Sequence, residues 1–240
     1  MKFVLDTHSH TIAGGHAYST VMEIAKMASD KGLELICITE HGPAMPGGPH
    51  EYYFGNLRVI PDIIYGVRIL KGIEANILGY DGKLDISERY LEKMDVVIAS
   101  LHEVCYPGGG VEENTEALIN ALQNPYVDII AHPGNPRYPI DQEEVVKAAK
   151  KYGKMLEINN GTFMGSRKGS YENCLNIARL AKKYGVMLSI GSDAHIAFDI
   201  GRFDKAYEII KEAEVPEDLI VNTSVEKFKG CLRKFKNEIE

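Results

Sequence analysis

The sequence predicts an α/β fold built from repeated parallel βα units. Short, dense apolar runs recur along the chain, longer amphipathic segments lie between them, and the two kinds alternate in order. A run that is apolar throughout, rather than at every second position, is the pattern of a strand buried on both faces, as in a parallel sheet.

The first run is Phe3-Val4-Leu5. A helix is expected over residues 20–31, with Val21, Ile24, Ala25 and Ala28 on one face. Leu35-Ile36-Cys37-Ile38 is the second run. Residues 40–68 are less regular, and 42–50 form a Gly/Pro-rich loop. Arg68-Ile69-Leu70 and Val96-Val97-Ile98-Ala99 follow as the third and fourth runs. Residues 114–123 carry Leu118, Ile119 and Leu122 at helical spacing behind an Asn. Val127-Asp128-Ile129-Ile130 is the fifth run. Asp141 reads as an N-cap, with Glu144 three residues on as in a capping box, for a helix ending at Tyr152 before Gly153. Met155-Leu156-Glu157-Ile158 is the sixth run, residues 170–184 repeat the helical pattern up to Gly185, and Met187-Leu188-Ser189-Ile190 is the seventh. A last helix is expected over residues 204–213. Seven strands in βα alternation fit an open doubly wound sheet and a barrel equally. Neither GxGxxG nor a Walker A pattern is present to favour a nucleotide-binding sheet.

At 240 residues and 45% hydrophobic content, the chain suits a single domain with a sizeable core. A net charge of −7 does not suit broad, non-specific nucleic-acid binding. Cys37, Cys105, Cys174 and Cys231 are far apart and form no CxxC pair, which argues against a disulfide framework or a zinc knuckle. Cys37 reads as a small core residue. The N-terminus lacks the apolar core of a signal peptide, and no stretch approaches the length of a membrane helix, so a cytoplasmic protein is expected.

The chemistry lies where the runs end. Of the eight histidines, six follow directly behind a run: His8 and His10 the first, His41 the second, His102 the fourth, His132 the fifth and His195 the seventh. The third run leads to Glu74, the sixth to Asn159 and Asn160, and the seventh to Asp193 as well. In a parallel barrel these ends share one face, where active sites are built. Imidazole and carboxylate are the usual ligands of zinc, iron and manganese. One such histidine could be an ordinary hydrogen-bonded loop residue; six at corresponding positions point to metal. His16, flanked by Gly14 and Gly15, can bend back toward the same face. His50, on the long loop, reads as exposed.

These residues also form a series of motifs in order. They are Asp6-Thr7-His8-Ser9-His10, Thr39-Glu40-His41-Gly42, Gly72-Ile73-Glu74-Ala75-Asn76, Ser100-Leu101-His102, Ala131-His132-Pro133-Gly134 and Gly191-Ser192-Asp193-Ala194-His195. The series resembles the polymerase and histidinol phosphatase (PHP) family over about 190 residues. The segments Gly15-His16-Ala17-Tyr18-Ser19-Thr20, His132-Pro133-Gly134-Asn135-Pro136, Glu157-Ile158-Asn159-Asn160 and Ser166-Arg167-Lys168-Gly169-Ser170 are similar to its stand-alone YcdX-like bacterial phosphatases.

The resemblance implies a distorted, TIM-like (β/α)7 barrel, a single domain over residues 1–240, with three divalent metal ions. Zinc is expected first, with manganese or iron acceptable. The family pattern would place one ion on His8, His10, Glu74 and Asp193. A second would share Glu74 and take His102 and His132, and a third would take His16, His41 and His195. Glu40 stands where a shorter Asp is common, next to the ligand His41. Asp6 matches no ligand position and is expected to support a ligating histidine.

The implied function is hydrolysis of phosphate monoesters of small molecules by a metal-activated hydroxide. Glu74 would bridge two ions. Asp193 would ligate and help manage the water's proton. Arg167 would clamp the phosphate, with Lys168 and Asn160 as further substrate contacts and Arg137 as a weaker candidate. Residues 42–56 and 106–113 are expected to wall the pocket. A phosphodiesterase or nuclease, an amidohydrolase-type hydrolase and a non-catalytic metal-binding module remain alternatives. No strand-end Lys is placed for carbamylation, no basic aromatic stripe is present for nucleic acid, and every position of the ligand pattern is filled. The expected partner is a small phosphorylated substrate, without membrane or nucleic acid; self-association is left open.

Overall fold

The structure, a computed structural model, describes residues 1–165 and 167–238. Seven parallel strands form a nearly closed barrel in the spatial order of the sequence: β1 (Leu5–Asp6), β2 (Leu35–His41), β4 (Val67–Asn76), β5 (Val96–Ser100), β6 (Ile129–Ile130), β7 (Met155–Asn159) and β8 (Leu188–Gly191). The barrel expectation holds and the open-sheet alternative does not. A short strand absent from the sequence reading, β3 (Ile63–Ile64), pairs antiparallel with the start of β4. It closes the irregular stretch after the helix α2 (Glu51–Asn56).

The runs are apolar throughout because each strand has two buried faces. On β2, Leu35 and Cys37 point into the barrel, where they meet Leu5, Leu70, Val96, Ile98, Ile129 and Met155. Ile36 and Ile38 point outward into the larger core beneath the helices. Those helices are α1 (Val21–Asp30), α3 (Glu88–Leu91), α4 (Val111–Gln123), α5 (Gln142–Tyr152), α6 (Ser170–Tyr184) and α7 (Asp204–Glu212).

Local signals explain most boundaries. Thr20 caps α1 in a reciprocal capping box with Glu23. Asp141 caps α5 by accepting from the Glu144 N–H at 3.0 Å, but the second half of the expected box does not form. The Asp141 N–H is taken by Thr115 Oγ1 at 2.8 Å, and the Glu144 carboxylate turns to Lys147. Gly153 and Gly185 end α5 and α6 in the left-handed conformation, as expected. α4 begins earlier than its Asn suggested. Asn114 lies inside the helix, where its side chain accepts from the Gly109 N–H and donates to Pro139 O. Strand bounds also shift: β1 starts at Leu5 rather than Phe3, and β6 at Ile129 rather than Val127.

The barrel closes unevenly. On the side carrying the strands' C-terminal ends, Ser9 bridges Ala194 in parallel register. Toward the other end, the Asn222 side chain stands between β1 and β8. Its Nδ2 donates to Leu5 O (2.9 Å) and Ile190 O (2.7 Å), and its Oδ1 accepts from Ile190 N–H (2.7 Å). A further helix, α8 (Val225–Cys231), puts Phe228 against the inner barrel core, with Leu232 just beyond it. The sequence reading stopped short of these closing elements. Among the described residues no helix is long and apolar enough to cross a membrane.

Candidate metal centre

The strand ends deliver a single cluster of imidazoles and carboxylates. Alternation along β2 and β4 carries the inward face from Leu35 and Cys37 up to His41, and from Leu70 up to Glu74. The loops after β1, β5, β6 and β8 add His8, His10, His102, His132, Asp193 and His195. His132 (φ 35°) and Asp193 (φ 56°) both hold left-handed backbone, which non-glycine residues rarely adopt and which concentrates at functional sites.

Glu74 sits at the middle of the cluster and faces two sets of rings. Its Oε1 lies 3.0 Å from His132 Nε2 and 3.4 Å from His102 Nε2. Its Oε2 lies 2.7 Å from His41 Nδ1, 3.4 Å from His8 Nε2 and 3.5 Å from His10 Nε2. Asp193 Oδ1 is 3.1 Å from His10 Nε2 and 3.7 Å from His8 Nε2. The His16 ring packs 4.9 Å from those of His41 and His195, so the loop folds back as its glycines allow. Gly15 there has φ +77°, and the Gly14 Cα lies against the Glu40 carboxylate, where a side chain would collide.

Several rings are oriented from behind so that Nε2 faces the cluster. Nδ1–H of His16 donates to Gly14 O (3.1 Å), and Nδ1–H of His195 to Asp193 O (2.9 Å). His102 Nδ1 meets Asn76 Oδ1 at 2.7 Å, and the Asn76 amide in turn donates to the half-buried Asp85 at 2.6 Å. His8 Nδ1 meets Glu157 Oε1 at 2.8 Å. Such contacts fix the tautomer that leaves Nε2 as a lone-pair donor.

Divalent ions fit this donor set. Among the described residues, four buried atoms of the cluster make no well-directed hydrogen bond: His10 Nδ1, His102 Nε2, and His41 Nδ1 and Glu74 Oε2, which face each other at 2.7 Å. A buried polar group left without a directed partner costs about 1–3 kcal/mol, and a bound cation would satisfy lone pairs that the protein itself leaves poorly paired. Among the described residues, three sets of ligand atoms lie within 4.8 Å of one another: His8, His10 and Asp193; His41, Glu74 and His102; and His10, His41 and His195. The resemblance assigned each histidine to one ion. Here His10 and His41 each belong to two sets, while His132 reaches the cluster through Glu74 and His16 through its packed ring.

The electrostatics agree with a centre built for positive charge. Burial lowers the His8 pKa, but Glu157, Glu74 and Asp193 outweigh it and hold the ring well above the usual imidazole value. Burial likewise opposes charge on His10, yet Asp193 and Glu40 bring its pKa to about 9. Burial and the neighbouring His10 push His41 down to about 3. Burial and Arg167 push His132 to about 4. Burial would raise the Glu74 and Asp193 carboxyls, but the surrounding histidines hold both well below the ordinary range.

A cleft of about 340 Å³ opens above the cluster, reached by His16, His41, His102, Asp193 and His195. Arg167 lines it and donates to Asp193 Oδ2 at 3.1 Å. Ser166, the residue before it in the family-like segment, lies outside the described residues. Lys168 is exposed and does not line the cleft. Asn160 lines it, but its Oδ1 accepts from the Lys205 and Ala206 N–H groups and so anchors the start of α7. Met45 contributes from the 42–56 loop, whereas no residue of 106–113 lines the cleft. Gly161, Met164, Ser192, Asp199 and Arg202 supply the rest of that wall, and sequence reasoning missed Arg202, which shares the loop of His195.

His50 is exposed and caps α2, accepting from the Tyr52 N–H. Arg137 pairs with Glu103 at the surface. Asp6 accepts from the His8, Ser192 and Gly201 N–H groups, so it supports the backbone around His8 and not the ring. Orientation of the His8 ring falls to Glu157, which the sequence placed in a strand and in a family-like segment without giving it a role. A carboxylate inside a run buried on both faces was the available signal, since it must find partners there.

The pattern of the PHP domain matches residues 6–214. A probable phosphatase of Acetivibrio thermocellus is 58% identical over 239 residues, covering 100% of this chain and 99% of that protein. A probable phosphatase of Thermoanaerobacter sp. (strain X514) is 59% identical over 240 residues, covering 100% and 98%. The solved structure of histidinol phosphate phosphatase from Lactococcus lactis, complexed with zinc, L-histidinol and phosphate, matches with a TM-score of 0.61 at 22% identity, covering 88% of this chain and 94% of that one. A putative histidinol phosphatase from Listeria monocytogenes matches with a TM-score of 0.63 at 19% identity, covering 85% and 99%. At these identities the two structures establish a shared fold.

Proposed function

The chain belongs to the PHP domain family, and from that premise we propose that it is a metal-dependent phosphatase that hydrolyses small phosphate monoesters at a three-ion centre. The observation that carries the reading is the set of poorly paired buried ligand atoms gathered around Glu74 beneath a cleft lined by Arg167.

His8, His10, Glu74 and Asp193 would hold one ion, Glu74, His102 and His132 a second, and His16, His41 and His195 a third. Zinc suits the imidazole-rich set, and manganese and iron are compatible with it. Bound divalent ions supply positive charge against phosphoryl oxygens and lower the pKa of a coordinated water. The chain's own residues do the rest. Glu74 presents one oxygen to each set of rings, the disposition of a bridging carboxylate. Arg167 offers guanidinium N–H groups at the cleft to bind and orient the phosphate. Asp193, held by Arg167 and with its pKa well below the ordinary range, orients the proton of an attacking water rather than keeping it. The cleft volume accommodates a metabolite-sized ester.

Metal analysis of the purified protein, paired with p-nitrophenyl phosphate turnover under zinc, manganese and iron, tests the reading. Stoichiometric metal and metal-dependent phosphate release are expected. H102A should lower turnover by ~100-fold or more, the order seen when a group stabilising transition-state charge is removed. Stoichiometric metal without turnover under any of the three ions, or full activity in H102A with its fold intact, overturns the assignment.

A further inference from the structure

We propose that Glu157 is a positioning residue that sets two halves of the metal centre at once, fixing the His8 ring through one oxygen and the His132 backbone through the other. The inference rests on the metal-centre reading above and adds a residue outside its ligand set.

Met155 faces the barrel interior, so strand alternation places Glu157 on the same inner face, one step nearer the cluster. Glu157 is 1% exposed. Its Oε1 accepts from His8 Nδ1–H at 2.8 Å. Its Oε2 accepts from the His132 N–H at 3.0 Å and from Asn159 Nδ2 at 3.0 Å. A carboxylate only accepts, so the first contact requires the proton on His8 Nδ1 and leaves Nε2 as the ligand atom facing Glu74, His10 and Asp193. The second contact holds the backbone of His132, whose left-handed φ of 35° needs an anchor to persist.

Room for the carboxylate is reserved by Gly191, where a Cβ would fall 2.1 Å from Glu157 Oε1 and 2.5 Å from His8 Cβ. The other oriented rings lean on neutral acceptors: Gly14 O, Asp193 O and Asn76 Oδ1. Among the described residues the Glu40 carboxylate also stands by a ring, 3.5 Å from His10 Nδ1, but Glu157 makes the closer contact at 2.8 Å, which raises the basicity of His8 as a ligand.

E157Q is the informative variant because it keeps size and shape. Gln has one acceptor oxygen and one NH₂ where three donors converge. Either its NH₂ meets His8 and forces the proton onto Nε2, or it meets the His132 and Asn159 donors. Competitive titration with a chromophoric chelator is expected to show zinc bound ~10–100-fold more weakly in E157Q than in wild type. The far-UV circular dichroism of the metal-free proteins should coincide. In zinc-loaded wild type, ¹⁵N-edited NMR of the histidine rings should show His8 coordinated through Nε2 with a proton on Nδ1. That readout stands even if E157Q does not fold. Equal zinc affinity in E157Q, or His8 coordinated through Nδ1, overturns this inference alone. A wild-type protein that binds no divalent ion overturns the metal-centre reading together with it.

Discussion

Arg167 shows how a single side chain serves two ends of the proposed chemistry. It lines the cleft where a phosphate would enter, and it also holds Asp193 Oδ2 at 3.1 Å. Loss of a charge-assisted hydrogen bond of this kind costs ~1.5–3 kcal/mol. R167A is therefore expected to lower kcat/KM by ~10–100-fold. Because Asp193 loses a partner as well, the change should appear in kcat and not only in KM. Steady-state kinetics on a fixed metal decide it, and unchanged parameters would remove Arg167 from the site. Lys168, exposed beside it, should be replaceable by Ala with little effect on the same assay.

Among the elements, the junction between β1 and β8 is the place where the barrel depends on a side chain. β1 has two residues in the sheet, and Asn222 substitutes for the missing ladder by bonding to Leu5 and to both polar groups of Ile190. Asn222 is fully buried. N222A removes the side-chain partner of Ile190 N–H and Leu5 O, each worth about 1–3 kcal/mol when left unpaired, while Ile190 O keeps the Thr7 hydroxyl at 3.0 Å. A loss of ~2–4 kcal/mol is expected in urea unfolding, after allowance for partial relaxation. A loss below ~0.5 kcal/mol would mean that water or a shifted strand replaces the amide. His8 and Asp193 stand just above this junction, joined through the Asp193 N–H and His8 O at 3.0 Å, so the closure also sets the spacing of two proposed ligands.

For the molecule as a whole, removing metal should leave a pH dependence written by the histidines. His8 and His10 have raised pKa values, so their contribution in the metal-free fold is complete below the unfolded imidazole value of ~6.5. It is lost as pH rises through about 9, the His10 value. His41 and His132 work the other way. The fold keeps them neutral down to about 3 and about 4, while the unfolded chain takes up protons below ~6.5, so stability falls with falling pH. Glu74 and Asp193, both with lowered pKa values, add to the loss on the acid side. Chelator-treated protein should thus show its highest Tm near pH ~6.5 in calorimetric scans. A Tm that climbs steadily from there to pH ~9 would contradict the charge distribution described.

The sequence by itself determined the βα alternation, the placement of imidazoles and carboxylates at the ends of the runs, and the family. Each follows from local pattern: strands buried on both faces read as unbroken apolar runs, and parallel strands put their following residues on one face. His16 was legible from its glycines, and Asp141, Gly153 and Gly185 from cap chemistry. Only the tertiary structure decided what depends on partners distant in the chain. β3, the Asn222 junction and α8 carry no periodic signal of their own, because their hydrogen bonds and packing partners belong to other segments. Arg202 joins the cleft through a loop path that no spacing encodes. Glu157 lies within an apolar run and reads there as part of a strand. Its role appears only when His8, 149 residues earlier, is brought to 2.8 Å by closure of the barrel. Residue type can announce that a ligand is present, but the proton and orientation that make it one are set by contacts across the fold.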